Sequence, residues 1–204
     1  MADFLYLGSQ SQTRQKMLRD AKIPFKVLLH KSDEDIFKGT DFHRYVKEIA
    51  SHKMELLVLP EAVNSAGIYV LTADTLVRAM KTKEILGKPK DRADAERMLR
   101  LECEEPVEVV TGCCLEYKEF AGEEWRTKER ELWATGTEIS FCVPPEFYES
   151  YFNEAPLALY AAGSATIEGP GMLFSRYVNG CYNSVLGLPM FELREKLEKM
   201  KFQF

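Results

Sequence analysis

Apolar positions along the chain switch repeatedly between helical and strand-like spacing. Residues 4–7 (Phe-Leu-Tyr-Leu) form a short apolar run that predicts a strand. Gly8-Ser9-Gln10-Ser11 follows, and Met17, Leu18 and Ala21 then recur at helical spacing, with Ser9 or Ser11 able to cap the helix. Residues 23–29 return as a strand and lead into a polar loop, Ser32-Asp33-Glu34-Asp35. Over 41–58, Tyr45, Val46, Ile49, Ala50, Met54 and Leu57 fall on one helix face. Residues 68–73 are a continuous apolar run, the pattern of a buried strand, with Asp74-Thr75 at its C-terminal end. A short strand over 83–86 is closed by Gly87-Lys88-Pro89, and Asp91 caps a helix with Ala95, Met98 and Leu99 inward.

The second half is β-rich at first. Segments 107–116 and 132–143 read as strands, and the charged stretch 118–131 between them is expected to be a hairpin-type loop. Pro144-Pro145 opens a short helix through Phe147, Tyr148 and Tyr151. A strand over 172–178 and a terminal helix over 188–200, with Leu193 and Leu197 inward, complete the pattern. No internal repeat, low-complexity tract or long linker interrupts it. Alternating helices and strands predict an α/β or α+β fold, and 204 residues suit one domain spanning 1–204.

Composition narrows the function. With 46% apolar and 29% charged residues, the chain can build a core without staples. A formal charge of −5 excludes general binding to nucleic-acid polymers, which needs a broad basic face. A small anionic ligand stays within reach of a few clustered cations. The cysteines (Cys103, Cys113, Cys114, Cys142 and Cys181) include no CxxC pair, and His30, His43 and His52 stand at no zinc-finger spacing from them. Reduced thiols are therefore expected, with Cys113 and Cys114 on opposite faces of a strand as core residues. The longest uncharged stretch, 155–167, is too short to span a bilayer, and no address signal is recognised at either end. A soluble cytoplasmic protein without membrane association is the expectation.

Three segments could carry chemistry. The strand–turn–helix start around Gly8 offers backbone N–H groups, the Ser9 hydroxyl and the Arg14 guanidinium, which together suit a phosphate. A capped helix with a solvated arginine explains the same residues. Asp74 beyond an apolar strand lies where open α/β sheets bind ligands, and a carboxylate there can hold Mg²⁺ or take a proton from water. Asp is equally common as a turn or cap residue. Lys88, fixed between Gly87 and Pro89, is well placed to aim an ammonium group, although turn chemistry accounts for its neighbours too. Lys53 can be a surface cation and Glu34 part of a solvated loop. No histidine triad, Gly-x-Ser-x-Gly elbow, P-loop or Gly-x-Gly-x-x-Gly occurs.

Taken in order, these segments resemble the Maf family of nucleoside-triphosphate pyrophosphatases. Leu7-Gly8-Ser9-Gln10-Ser11 through Arg14 is similar to its opening L-A-S-x-S-P-x-R. Ser32-Asp33-Glu34 stands at its acidic loop, and Ala50-Ser51-His52-Lys53 resembles its A-x-x-K. Thr72-Ala73-Asp74-Thr75-Leu76-Val77 resembles G-A-D-T-x-V, and Leu86-Gly87-Lys88-Pro89 is the L-G-K-P element. Thr111-Gly112, Ala162-Gly163-Ser164 and Val185-Leu186-Gly187-Leu188-Pro189 follow in place. The resemblance covers nearly the whole chain, and the ordered set is specific where no single motif is.

The resemblance implies an elongated, mixed, twisted sheet flanked by helices, inosine-triphosphatase-like, with a nucleotide cleft between two lobes. It implies cleavage of a nucleoside triphosphate to the monophosphate and pyrophosphate with a divalent metal, Mg²⁺ with Mn²⁺ or Co²⁺ as alternatives. Asp74 would be the catalytic carboxylate and a metal ligand, and Glu34 a second metal-binding carboxylate. Ser9, Arg14, Lys53 and Lys88 would contact the triphosphate, with Lys53 and Lys88 in the catalytic set. A homodimer is compatible with the resemblance.

The chain also departs from the commonest pattern. Thr13 stands where members acting on dTTP and UTP carry Arg, Glu168 where they carry Gln, and Val107 in place of a frequent His. The Ala-Gly-Ser…Glu-Gly version is similar to the branch assigned to 7-methyl-GTP, whereas Thr75 resembles the dTTP/UTP branch. An ionised Glu only accepts hydrogen bonds, so Glu168 facing the base would favour the guanine N1/N2 edge. Thr13, Thr75 and Glu168 are thus the expected substrate-discriminating positions. A non-catalytic nucleotide-binding protein regulating cell division on the same fold is the alternative. A pyrophosphatase of the inosine-triphosphatase type is a third reading, with a weaker motif match.

Overall fold

The computed structural model describes residues 3–29, 41–61 and 67–204. The acidic loop containing Glu34 lies outside the described residues. The strands are β1 (Leu5–Leu7), β2 (Phe25–Val27), β3 (Gly67–Ala79), β4 (Ile85–Leu86), β5 (Val107–Ala121), β6 (Glu124–Phe141) and β7 (Ser175–Gly180). The helices are α1 (Gln12–Asp20), α2 (Phe42–Glu55), α3 (Arg92–Glu104), α4 (Tyr148–Glu154), α5 (Tyr182–Val185) and α6 (Met190–Lys199).

The strands form one seven-stranded mixed sheet in the order β2-β1-β3-β5-β6-β7, with β4 paired to β3. β1 runs parallel to both β2 and β3, with Leu5 opposite Phe25 and Tyr69. β4 pairs with β3 antiparallel, Val77 opposite Leu86, and β7 pairs antiparallel with β6. This is the mixed, helix-flanked sheet that the sequence implies.

By internal contacts the chain divides into two compact units. The first comprises Met1–Asp74, Thr111–Thr135 and Leu186–Phe204; the second comprises Thr75–Val110 and Gly136–Val185. In the first unit, strand alternation feeds two cores. Leu5, Leu7, Leu71, Ala73, Cys113 and Leu115 pack with Leu18 of α1 and with Leu193 and Leu197 of α6. Val70 and Cys114, from the opposite faces of β3 and β5, pack with Ala50 and Met54 of α2. Cys113 and Cys114 are both fully buried, one in each core, as their adjacency on a strand predicts. Burial pushes the Cys114 thiol up to about 11 and Cys113 further still. In the second unit, Ala95 and Leu99 of α3 pack with Tyr148, Tyr151 and Phe152 of α4.

Three boundaries differ from the sequence expectation. β3 does not end at Asp74 but continues to Ala79, because its later residues find a second partner in β4. The charged stretch 118–131 is not a loop. β5 and β6 extend through it and turn at Gly122 and Glu123, both at positive φ (64° and 92°). Cross-strand ion pairs such as Lys128–Glu119 at 3.4 Å let exposed strands carry those charges. The strand expected over 172–178 begins at Ser175, after a 3₁₀ segment at Gly169–Leu173.

Candidate active site

In the first unit, the turn after β1 is held tightly against β3. The Gly8 N–H donates to the Leu71 carbonyl at 2.8 Å. A Cβ at Gly8 would lie 2.7 Å from Leu57 Cδ2 and 2.8 Å from Thr72 Cγ2, so a side chain there would require Leu57 and Thr72 to shift. Ser11 caps α1, accepting from the Arg14 N–H at 3.3 Å. Ser9, the other expected cap, accepts instead from the Ser11 N–H at 3.3 Å and from Arg14 Nη1 at 3.1 Å.

Arg14 is not the solvated side chain of the simpler reading. It is 9% exposed. Its Nη1 also donates to the Ala73 carbonyl at 2.8 Å, and Nε donates to the Gly187 carbonyl at 2.7 Å. One guanidinium thus ties α1 to β3 and to the segment before α6. Burial lowers its pKa from the ordinary value, while the negative charge of Asp74 acts in the opposite direction. An arginine stays protonated under such a shift, so the fork remains a donor.

Residues two apart share a strand face, and residues three or four apart share a helix face. Thr72 and Asp74 therefore face α2 together, while Ala73 turns toward α1. Thr72 Oγ1 donates to the Ala50 carbonyl at 2.6 Å, fixing α2 over the strand. One turn further on, Lys53 Nζ reaches Asp74 Oδ1 at 2.7 Å. Their side chains are 17% and 15% exposed, sheltered but open to solvent. The structure thus brings together Ser9, Arg14, Lys53 and Asp74 from three sequence segments. Thr13 is half-buried on α1.

The remaining expected site residues lie in the second unit. Thr75 is half-buried in β3, Lys88 is exposed after β4, and Glu168 is half-buried before the Gly169–Leu173 segment. Val107 is fully buried. The Ala162–Ser164 turn carries consecutive positive φ values, 76° at Gly163 and 64° at Ser164. Its Gly163 N–H donates to the Gly87 carbonyl at 3.1 Å, joining the turn to the loop that holds Lys88.

Three contributors have roles that sequence reasoning does not assign. The carbonyls of Ala73 and Gly187 receive Arg14; both residues stand in motifs quoted above, but a backbone acceptor leaves no side-chain signal of its role. Glu102 is 2% exposed, and among the described residues its Oε1 finds no hydrogen-bond partner. Its spacing did offer a signal, since it stands three and four residues after Leu99 and Met98 on the apolar face of α3.

Among the described residues, no group of three or more His, Cys, Asp or Glu side chains is placed to hold a metal. The carboxylate of Asp74 supplies hard oxygen donors, which suit Mg²⁺ when substrate phosphates complete its coordination. Also among these residues, no helix is long and apolar enough to cross a membrane.

A Maf-like protein family model matches residues 4–200. A dTTP/UTP pyrophosphatase of Geotalea uraniireducens is 31% identical, over 96% of this chain and 94% of its own. One from Bacillus mycoides is 32% identical, over 96% and 94%. A nucleoside triphosphate pyrophosphatase of Synechococcus is 30% identical, over 97% and 94%. With a family match across nearly its full length and relatives aligned end to end, the chain belongs to the Maf-like family.

Proposed function

We propose that this chain is a nucleoside-triphosphate pyrophosphatase that hydrolyses the bond between the α- and β-phosphates, giving a nucleoside monophosphate and pyrophosphate. The observation that carries the reading is the sheltered Lys53–Asp74 pair at 2.7 Å in a chain of this family. The printed activities of its relatives support it.

Asp74 is the group that accepts the proton of the attacking water. The water oxygen joins phosphorus as the anhydride bond breaks, and pyrophosphate leaves with the bonding pair. Lys53 fixes the carboxylate and lies close enough to offset charge gathering on the phosphoryl oxygens. Arg14 acts through position: by holding the Ala73 carbonyl it fixes the strand immediately before Asp74. Ser9 is held by the same Nη1 that holds the Ala73 carbonyl. Asp74, with Glu34, is assigned to Mg²⁺, with Mn²⁺ or Co²⁺ as alternatives. When bound, the ion supplies positive charge at the phosphates and lowers the pKa of water. Lys88 is assigned to the phosphates, and Thr13, Thr75 and Glu168 to substrate discrimination, on the resemblance. Names of relatives favour dTTP and UTP, while Glu168 favours a guanine or 7-methylguanine edge.

The test is pyrophosphate release with Mg²⁺ across dTTP, UTP, CTP, GTP, ITP and 7-methyl-GTP, each beside Asp74→Asn. Cleavage of at least one by the wild type, with the variant at least about a hundredfold slower, is expected. Nucleotide binding without cleavage would refute the enzyme reading and favour a regulatory binding protein. Glu168→Gln should move preference toward dTTP and UTP; an unchanged preference removes Glu168 from base recognition.

A further inference from the structure

We propose that Glu102 is a positioning residue: its buried carboxyl closes the underside of the Ala162–Ser164 turn and so fixes the loops that carry Lys88 and Glu168. Glu102 lies on α3, and its Oε1 faces Gly163 so closely that a Cβ there would sit 1.9 Å away. The hydrogen that a side chain would replace therefore points at the carboxyl oxygen, a weak C–H···O contact. The turn is strained, since Ser164 adopts φ 64° while fully buried. Left-handed conformations outside glycine persist only where their surroundings enforce them.

Three contacts enforce this one. Glu102 stands beneath Gly163, the Gly163 N–H holds the Gly87 carbonyl at 3.1 Å, and Ser164 Oγ donates to Met98 Sδ at 3.7 Å. Glu168 follows four residues after Ser164, and Lys88 follows Gly87 directly. The turn is therefore the joint between both loops, and α3 is its floor.

Among the described residues, the ionisable groups that face Glu102 are Cys103 on α3 and Tyr151 on α4. Ser164 adds a neutral hydroxyl, and Val77 of β3 closes the space at Gly163. None supplies a positive charge. Burial alone holds the carboxyl well above the ordinary carboxylate range. Ionisation puts an unpaired charge beneath the turn, and the turn must open to hydrate it.

The inference rests on the proposed role of Lys88 and Glu168 in substrate binding, and two separate readouts test it. Hydrogen exchange of the 162–168 amides, corrected for intrinsic pH dependence, is followed from mildly acidic to alkaline pH in the wild type and in Glu102→Gln and Glu102→Ala. KM and kcat for the best triphosphate are measured over the same range. Wild-type exchange and KM should both rise about fivefold or more as Glu102 ionises. Glu102→Gln, neutral and of the same shape, should keep low values throughout, and Glu102→Ala should show the raised values at every pH. If Glu102→Gln keeps the wild-type alkaline rise in exchange, or Glu102→Ala exchanges like wild type, the proposal is overturned. An exchange result as expected in a protein that cleaves no triphosphate would refute the pyrophosphatase reading and leave the joint intact.

Discussion

Gly163→Ala probes the joint between α3 and the Ala162–Ser164 turn most directly. Two costs act together. An alanine at φ 76° is forced into the left-handed region, which costs about 1–2 kcal/mol. Its Cβ would also lie 1.9 Å from Glu102 Oε1, 3.1 Å from Cδ and 3.2 Å from Val77 Cγ2. The carboxyl terminates a flexible side chain, but at 2% exposure any shift must displace its packed neighbours or open it to water. Overpacking of this kind adds roughly 1–3 kcal/mol, for a total of about 2–5 kcal/mol. In a chain of this size, that corresponds to a fall in Tm of roughly 4–20 °C. Melting followed by circular dichroism gives the total, and a cycle with Glu102→Ala separates the parts. Without the carboxyl, the alanine should retain its backbone cost and the Val77 contact, so the two substitutions should couple by about 1–3 kcal/mol. Equal cost of Gly163→Ala in both backgrounds would refute the steric argument.

Two further outcomes follow from the same geometry. Arg14→Lys replaces a fork that reaches the Ser9 hydroxyl and the Ala73 and Gly187 carbonyls with a single ammonium. Loss of one charged hydrogen bond should lower stability by roughly 1.5–3 kcal/mol in urea unfolding, and kcat should fall more than KM because Asp74 is displaced; undiminished stability would mean that the fork is not a brace. The raised Glu102 pKa means that the folded state keeps a proton the unfolded chain releases. Its contribution to stability is fully present below the ordinary carboxylate range and is lost as pH rises from there through the raised folded value. Across that window Glu102→Gln should remove a downward slope of about 1.4 kcal/mol per pH unit, measured as the difference between wild-type and variant unfolding free energies.

Much of this was legible in the sequence because local patterns and tertiary demands agree. The spacing of Val46, Ile49, Ala50 and Met54 gave α2, and the run before Asp74 gave a buried strand. What local pattern could not give was partnership. The end of β3 depends on β4, and the polar 118–131 stretch forms strands because its charges pair across the ladder. The site divides in the same way. Asp74 and Lys53 were recognisable as residue types in motifs, but their separation of 2.7 Å depends on Thr72 docking α2. Arg14 reads from sequence as a solvated or phosphate-facing cation because two of its acceptors are backbone carbonyls, which every residue possesses. Glu102 sat unnoticed in an apolar pattern because a charged residue type is ordinarily read as surface.

The Arg14 brace also sets an order on biosynthesis. Its acceptors at Ser9 and Ala73 are made early, but Gly187 is 173 residues downstream. At about 5–20 residues per second, the ribosome reaches that carbonyl roughly 9–35 seconds after Arg14. Until then the guanidinium lacks one anchor, and the core face completed by Leu193 and Leu197 of α6 stays open. The turn bearing Ser9 and the strand bearing Asp74 can pair while the chain is still growing, but the site becomes rigid only when almost all of it has been translated.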